Sequence, residues 1–194
     1  MESQTATFGT FFGPSAAHAG QPIFELQPDG HWQPVSPQTA MKHGEAYWCF
    51  CQGASTYPGP LGLTLDTGEA LNYGAVLLEL IPRVNNYTGG SRNICWQDLF
   101  NGANNPLAYS VLLANRPTWT NFPSPYCIDL PAGSPWDQRL GIRRPAFAGN
   151  HYGSILELTD DLGTRYLLPV TADKLLAARA SLTGPAGTGH PAAG

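Results

Sequence analysis

Short runs in which hydrophobic and polar residues alternate recur along this chain, separated by clusters of Gly, Pro, Asp and Asn. That period of two is the signature of half-buried β-strands. Residues 22–35, PIFELQPDGHWQPV, set two β-prone runs either side of Pro28-Asp29-Gly30 and predict a hairpin: Pro presets φ and Gly accepts a positive one. In Gly44–Gly53, GEAYWCFCQG, a strand puts Tyr47, Cys49 and Cys51 on one face and Trp48 and Phe50 on the other. Both faces are apolar, which predicts a central strand over 45–52, buried on both sides, with Trp48 in the core. Tyr57-Pro58-Gly59-Pro60 then breaks the chain. Beyond it, Leu61–Leu65, Val76–Ile81 and Leu107–Leu113 read as strands, and Ile94–Phe100 as a strand or a short helical turn. Residues 85–91 read as a loop and 115–126, NRPTWTNFPSPY, as a Pro-rich loop. Cys127–Leu130 and Gln138–Arg143 are further strands. Ser154–Thr159 and Arg165–Val170 predict a hairpin around Asp160-Asp161-Leu162-Gly163, whose turn contains Gly. Thr171 is the predicted cap of a short helix, Ala172–Leu182, with Gly184 as its stop. A flexible tail follows.

Roughly seven or eight strands fall between residues 61 and 172, the size and rhythm of an immunoglobulin-like sandwich. The expected fold class is all-β: an immunoglobulin-like antiparallel β-sandwich over residues 61–172, preceded by a smaller β-rich segment over 1–60 and followed by the helix and tail over 173–194. The N-terminal segment supplies too few strands to stand alone, so it packs on the sandwich or on a partner.

The segments LPAGSPWDQRLGIRR and GSILELTDDLGTRYLLPVTA resemble the closing strands of immunoglobulin-like or fibronectin-type-III-like modules in large bacterial exported or surface proteins. GEAYWCFCQG followed by TYPGPLGLTLD is similar to a strand and linker that precede such modules. The resemblance implies a sandwich in a scaffold or adhesive role, and it carries over no catalytic residue.

Composition narrows the function. Gly and Pro number 22 and 18 of 194 residues, and charged residues are only 12%, against about 25% in an ordinary soluble domain. With ten Lys and Arg and a net charge of −4, the chain lacks the clustered cations that nucleic-acid binding requires. Arg143-Arg144 reads as an exposed strand end. No run approaches the roughly 18 apolar residues of a membrane span, so membrane insertion is not expected. The opening residues, MESQTATFGTFFGPSAAHAG, have neither the basic nor the apolar region of a signal peptide. The expected location is therefore exported or at the cell surface if a leader is missing from this chain, and cytoplasmic otherwise.

Candidate chemistry is sparse. Cys49, Cys51, Cys95 and Cys127 are buried small hydrophobes, disulfide partners or metal ligands. Residues i and i+2 of a strand lie about 7 Å apart, long for a disulfide, so if two bridges form, Cys49 and Cys51 reach separately to Cys95 and Cys127. Zinc needs four ligands, and a CxC on a strand lacks the paired knuckles of structural sites. Ser55 misses the final Gly of a nucleophile elbow. Among His18, His31, His43, His151 and His190, only His151, in GNHYG, looks site-like. Asp160 and Asp161 read as turn residues. Asn86-Tyr87-Thr88 matches the glycosylation acceptor pattern. Trp96, Trp119, Phe122, Tyr126 and Trp136 fall in or beside predicted loops, where they either stack on a ligand or plug the core. The expected role is a non-enzymatic structural or protein-interaction module without a cofactor, acting through a protein partner or self-association. The alternative is a carbohydrate-binding module in which those aromatics stack on polysaccharide, and a small hydrolase or zinc protein comes third.

Overall fold

A computed structural model describes residues 6–174 apart from 43, 67, 102–104, 115 and 148. In chain order its elements are α1 (Phe8–Phe12), β1 (Ile23–Leu26), β2 (Trp32–Val35), β3 (Tyr47–Cys49), β4 (Leu61–Thr64), β5 (Leu71–Asn72), β6 (Glu79–Leu80), β7 (Arg83–Asn86), β8 (Arg92–Asp98), β9 (Leu107–Leu113), β10 (Arg116–Asn121), β11 (Tyr126–Leu130), β12 (Pro135–Asp137), β13 (Leu140–Ile142), a 3-10 turn (Arg144–Ala146), β14 (His151–Asp160) and β15 (Arg165–Asp173). The fold class is the expected one: all-β, an immunoglobulin-like antiparallel sandwich with a smaller β-rich sheet before it.

One layer of the sandwich is the sheet β11-β8-β14-β15-β5; the other combines β10-β9-β13-β6 with β12-β7-β4. Their inner faces share one core. Ile94, Trp96, Leu156, Leu158, Leu168 and Val170 come from the first layer, and Leu61, Val84, Leu107, Phe122 and Leu140 from the second. β14 and β15 pair from His151↔Asp173 to Thr159↔Arg165, a longer hairpin than the sequence pattern predicts. Asp160 closes its turn by accepting from the Leu162 and Thr164 N–H groups. β15 occupies Thr171–Asp173, the start of the predicted helix; the rest of that prediction lies outside the described residues.

The β1–β2 hairpin forms around Pro28-Asp29-Gly30 in the register Ile23↔Val35 to Leu26↔Trp32. Thr7 and Thr10 cap α1 reciprocally, and Phe8 packs edge-on against Tyr47. Rings link this unit to the sandwich: Phe11 meets Tyr57, which meets Tyr87, and Tyr87 lies where a Cβ on Gly62 would be, 2.6 Å away.

Four expectations need correction. The strand expected to be central over 45–52 is the three-residue β3 at the edge of the sheet β2-β1-β3. Trp48 is 54% exposed, not core, because among the described residues no second layer covers the face that it shares with Phe24. The strand expected over Val76–Ile81 shrinks to Glu79–Leu80. Arg144 instead holds the preceding loop by donating to the carbonyls of Tyr73, Gly74 and Leu77. The Pro-rich loop expected over 115–126 contains β10, since an edge strand tolerates Pro117 without losing a ladder bond.

Asp160 is buried, and desolvation raises its pKa above the ordinary carboxylate value against hydrogen bonds from Thr164 and Leu162 that lower it. With the folded pKa above the unfolded one, the group favours folding fully below about pH 3.9 and that contribution is lost as pH rises through the folded value. Asp160→Asn keeps the Oδ1 acceptor and cannot ionise. Its melting temperature is expected to exceed the wild type's by about 2–4 °C at pH 7, with the gain vanishing at pH 3 in a calorimetric series.

Candidate protein-interaction surface

The β9–β10 hairpin projects from the sandwich. Every residue of β10 is exposed, and so are Leu112 and Leu113 of β9. β10 is an edge strand, bonded among the described residues to β9 alone. The Phe122 N–H donates to the Leu107 carbonyl, and hydrogen-bonded pairs alternate along an antiparallel ladder. In the register Trp119↔Ser110 and Asn121↔Ala108, the backbone groups of Pro117, Trp119 and Asn121 therefore point away from β9. Pro117 has no N–H, so the edge offers the Trp119 and Asn121 donors and the carbonyls of all three.

The same three residues project onto the outer face. There the Trp119 ring lies across Gly141 of β13, where a Cβ would stand 2.8 Å from its Cζ3. Only glycine admits that approach. Ala108, opposite Gly141 in the register, is buried on this outer face. The Arg139 guanidinium stacks 5.7 Å from the Trp119 ring centre while its Nε and Nη2 grip both oxygens of Glu79 at 2.5 and 2.7 Å. That pairing holds the Glu79 carboxyl below its usual range, chiefly through the hydrogen bond from Arg139. Trp119 thus stays 44% exposed yet fixed from beneath and beside.

Next to it runs a groove of about 340 Å³ lined by Leu78, Ala108, Trp119, Asn121, Gly141 and Arg143. It meets a second hollow of about 520 Å³ bounded by Leu78, Ile142, Arg143 and Pro145. Arg143 closes the rim by donating to Asn121 Oδ1 and the carbonyls of Pro106 and Asn105. Arg144 spends its guanidinium on backbone carbonyls, among them that of Asp173 at 2.8 Å. The pair is a structural clamp rather than an exposed strand end.

The other predicted site residues scatter. Cys95 and Cys127 form a disulfide, while Cys49 and Cys51 are free thiols on the N-terminal unit. One bridge forms rather than two, so the cross-pairing expected for two bridges does not arise: β8 and β11 are neighbours and set Cys127 directly opposite Cys95, with Cα atoms 4.1 Å apart. Trp96 and Phe122 are buried in the core and have no ring face to offer a sugar. Tyr126 packs against Tyr109, Phe122 and Trp136, and both Tyr126 and Trp136 support the core. Of the five aromatics, Trp119 alone is an exposed residue, and it lies on a strand, not a loop. Its seat was not readable from sequence, because no local pattern joins Trp119 to Gly141.

Other polar groups serve the fold. Asp98, buried, accepts from Tyr152 Oη at 2.8 Å, Ser154 Oγ at 2.6 Å and the Phe100 and Asn101 N–H groups. Ser154 is thereby committed to Asp98, and His151 pairs with Asp173 on an open rim. Asn86, 1% exposed, donates Nδ2 to the carbonyls of Gly90, Leu130 and Pro131, which spends the amide that glycosylation would need. Among the described residues no three His, Cys, Asp or Glu side chains gather as a metal site, and no helix is long and apolar enough to cross a membrane.

No family model matches this chain, and no curated protein matches it. Among solved structures it is similar to a PapD-like domain of human CEP192, at TM-score 0.39 and 8% identity over 60% of this chain and 85% of that one. It is also similar to the YadV chaperone, at TM-score 0.40 and 11% identity over 59% and 52%. A third likeness is to a FixG-related protein from Vibrio parahaemolyticus, at TM-score 0.36 and 13% identity over 60% and 98%.

Three measurements check this geometry. Two thiols are expected to react before reduction and four after it, with Cys49 slower than Cys51 because burial raises its pKa and depletes the thiolate. Reduction opens a crosslink spanning 32 residues and is expected to cost about 3–4 kcal/mol in denaturant melts. Gly141→Ala is expected to lift the Trp119 ring, read as a shift of its indole N–H resonance, at a cost below about 1 kcal/mol because an exposed ring has room to move.

Proposed function

We propose that this protein is a non-enzymatic β-sandwich interaction module that takes an extended segment of a protein partner along β10. One observation carries the reading: the whole length of β10 is exposed, with a seated tryptophan at its centre beside a groove. Strand addition draws affinity from main-chain bonds and specificity from pockets for alternate side chains, and β10 supplies both. The Trp119 and Asn121 backbone groups face the incoming strand, and the groove between Trp119 and Leu78 receives an apolar side chain. A tryptophan fixed before binding loses little entropy on contact, which is why such residues dominate interface energies. On this reading residues 61–172 act as the sandwich unit and residues 1–60 as an appendage to it. The Cys95–Cys127 bridge supports a site of action in an oxidising compartment, in keeping with an exported or surface assembly.

Selection from a displayed library of random peptides tests the proposal. Enriched sequences are expected to be β-prone with apolar residues at alternate positions. Trp119→Ala is expected to weaken their binding at least about tenfold, an anchor-sized loss. Asn121→Pro removes one outward N–H and is expected to weaken binding while circular dichroism stays unchanged. Peptides that bind both variants as well as the wild type, or no enrichment at all, would refute it.

A further inference from the structure

The groove beside β10 holds a cation that the chain does not neutralise. Net charge is −4, and among the described residues Arg83, Arg92, Arg139 and Arg165 each face a carboxylate. Arg143 faces none. Its Nε donates to the Pro106 carbonyl at 3.4 Å, its Nη2 to the Asn105 carbonyl at 3.1 Å and its Nη1 to Asn121 Oδ1. All three acceptors are neutral. These bonds engage three of the five guanidinium N–H groups, one on each nitrogen, so one donor remains on each Nη. They also carry the guanidinium from the end of β13 past the start of β9 to Asn121 of β10, at the rim of the groove. Glu79 shares the groove lining but is already gripped through both oxygens by Arg139. Arg144 likewise meets only carbonyls, which adds to the positive charge of the rim.

From this unneutralised charge we infer that the partner segment received by β10 is acidic: it sets a carboxylate side chain opposite Asn121, two residues from an apolar side chain opposite Trp119. The inference rests on strand addition at β10 and adds the chemistry of the partner. Residues i and i+2 of an extended segment point to one face about 7 Å apart, as Trp119 and Asn121 do. The apolar side chain enters the groove between Trp119 and Leu78, where the charges of Arg139 and Glu79 cancel. The carboxylate comes to Arg143, and its two oxygens match the two remaining N–H groups in a charge-assisted pair stronger than a neutral hydrogen bond. Antiparallel pairing puts the acid before the apolar residue in the partner's sequence, and parallel pairing puts it after. Charge also decides against occupants from the chain itself. The β10 sequence, RPTWTN, has no Asp or Glu to offer Arg143 if the edges of two copies pair, and residues 175–194 contain none either.

Panning the full chain in about 50 mM salt against random peptides displayed between fixed flanks, so that no chain end is free, tests this. Enriched peptides are expected to carry Asp or Glu two positions from an apolar residue and to be lost with Trp119→Ala. In synthetic end-capped versions, Gln for that Glu or Asn for that Asp is expected to weaken binding at least about fivefold, between an exposed ion pair and a desolvated one. Salt at about 500 mM is expected to remove most of the difference. The change is made in the peptide, so the fold of the protein is untouched. On Arg143→Gln the acidic and amide peptides are expected to bind alike. Peptides that need Trp119 yet bind equally well with acid or amide overturn the inference and leave strand addition at β10 standing. An acidic preference that persists on a folded Arg143→Gln chain assigns the carboxylate to another cation and also overturns it. Acidic peptides that bind Trp119→Ala as well as the wild type, or no enrichment at all, overturn both.

Discussion

The molecule depends on the hairpin of β14 and β15. Its inner residues Leu156, Leu158, Leu168 and Val170 form the floor on which the second layer packs, and each fully buried side chain of this kind contributes about 1.5–3 kcal/mol. Because side chains alternate strictly, a slip of one residue would send all four to solvent. The register is therefore held from both ends. Asp160 ties the turn, and β5 pairs in parallel with Val170 and Thr171 on the far side. β8 then docks on β14 from Leu156↔Asp98 to Asp160↔Ile94 and brings Trp96 over the floor.

Short strands leave many backbone groups without ladder partners, and a buried unpaired group is costly. Polar side chains fill the gaps at both ends of the sandwich. Asn86 bridges the ends of β7 and β11 through the Leu130 carbonyl. Arg144 gathers the carbonyls of the loop before β6 and of the end of β15. Asp98 receives the turn after β8 and the hydroxyls of β14. Residues that could be mistaken for a catalytic set, Asp98 with Ser154 and His151, are divided between this structural duty and a surface ion pair.

What was legible in the sequence was what is specified locally. The turns Pro28-Asp29-Gly30 and Asp160-Asp161-Leu162-Gly163 lie where the chain must reverse, so both hairpins follow from a few adjacent residues, and the all-β class follows from their repetition. Features that need distant chain to meet were not legible. Cys95 finds Cys127 because β8 and β11 become neighbours, a fact of topology that spacing does not encode. Trp119 finds Gly141 across β9 for the same reason. Trp48 misled for a different cause. Two apolar faces on a strand state that both can be buried, not that the fold supplies enough layers to bury them. Pro117 misled because proline excludes a residue from the middle of a sheet and not from its rim.

The exposed aromatics then fall into two kinds. Trp119 is held by its own fold, flat on glycine and braced by a guanidinium, so its open face costs little to keep ready for a partner. Trp32, Trp48 and Phe50 lean on one another and on Phe24, at the surface of a three-stranded unit. Such a unit gains from any cover, since an apolar face in water is an unspent part of the driving force that folds the rest. Charge is scarce around the N-terminal rings, and the ions that flank Trp119, Arg139 and Glu79, are already paired with each other, which limits the desolvation cost of a contact. The scarcity of charge that first marked the sequence therefore belongs to the same design as its exposed tryptophans. The ion pairs Arg83–Asp137 and Arg139–Glu79 tie neighbouring strands of the second layer, and the latter also braces the Trp119 ring.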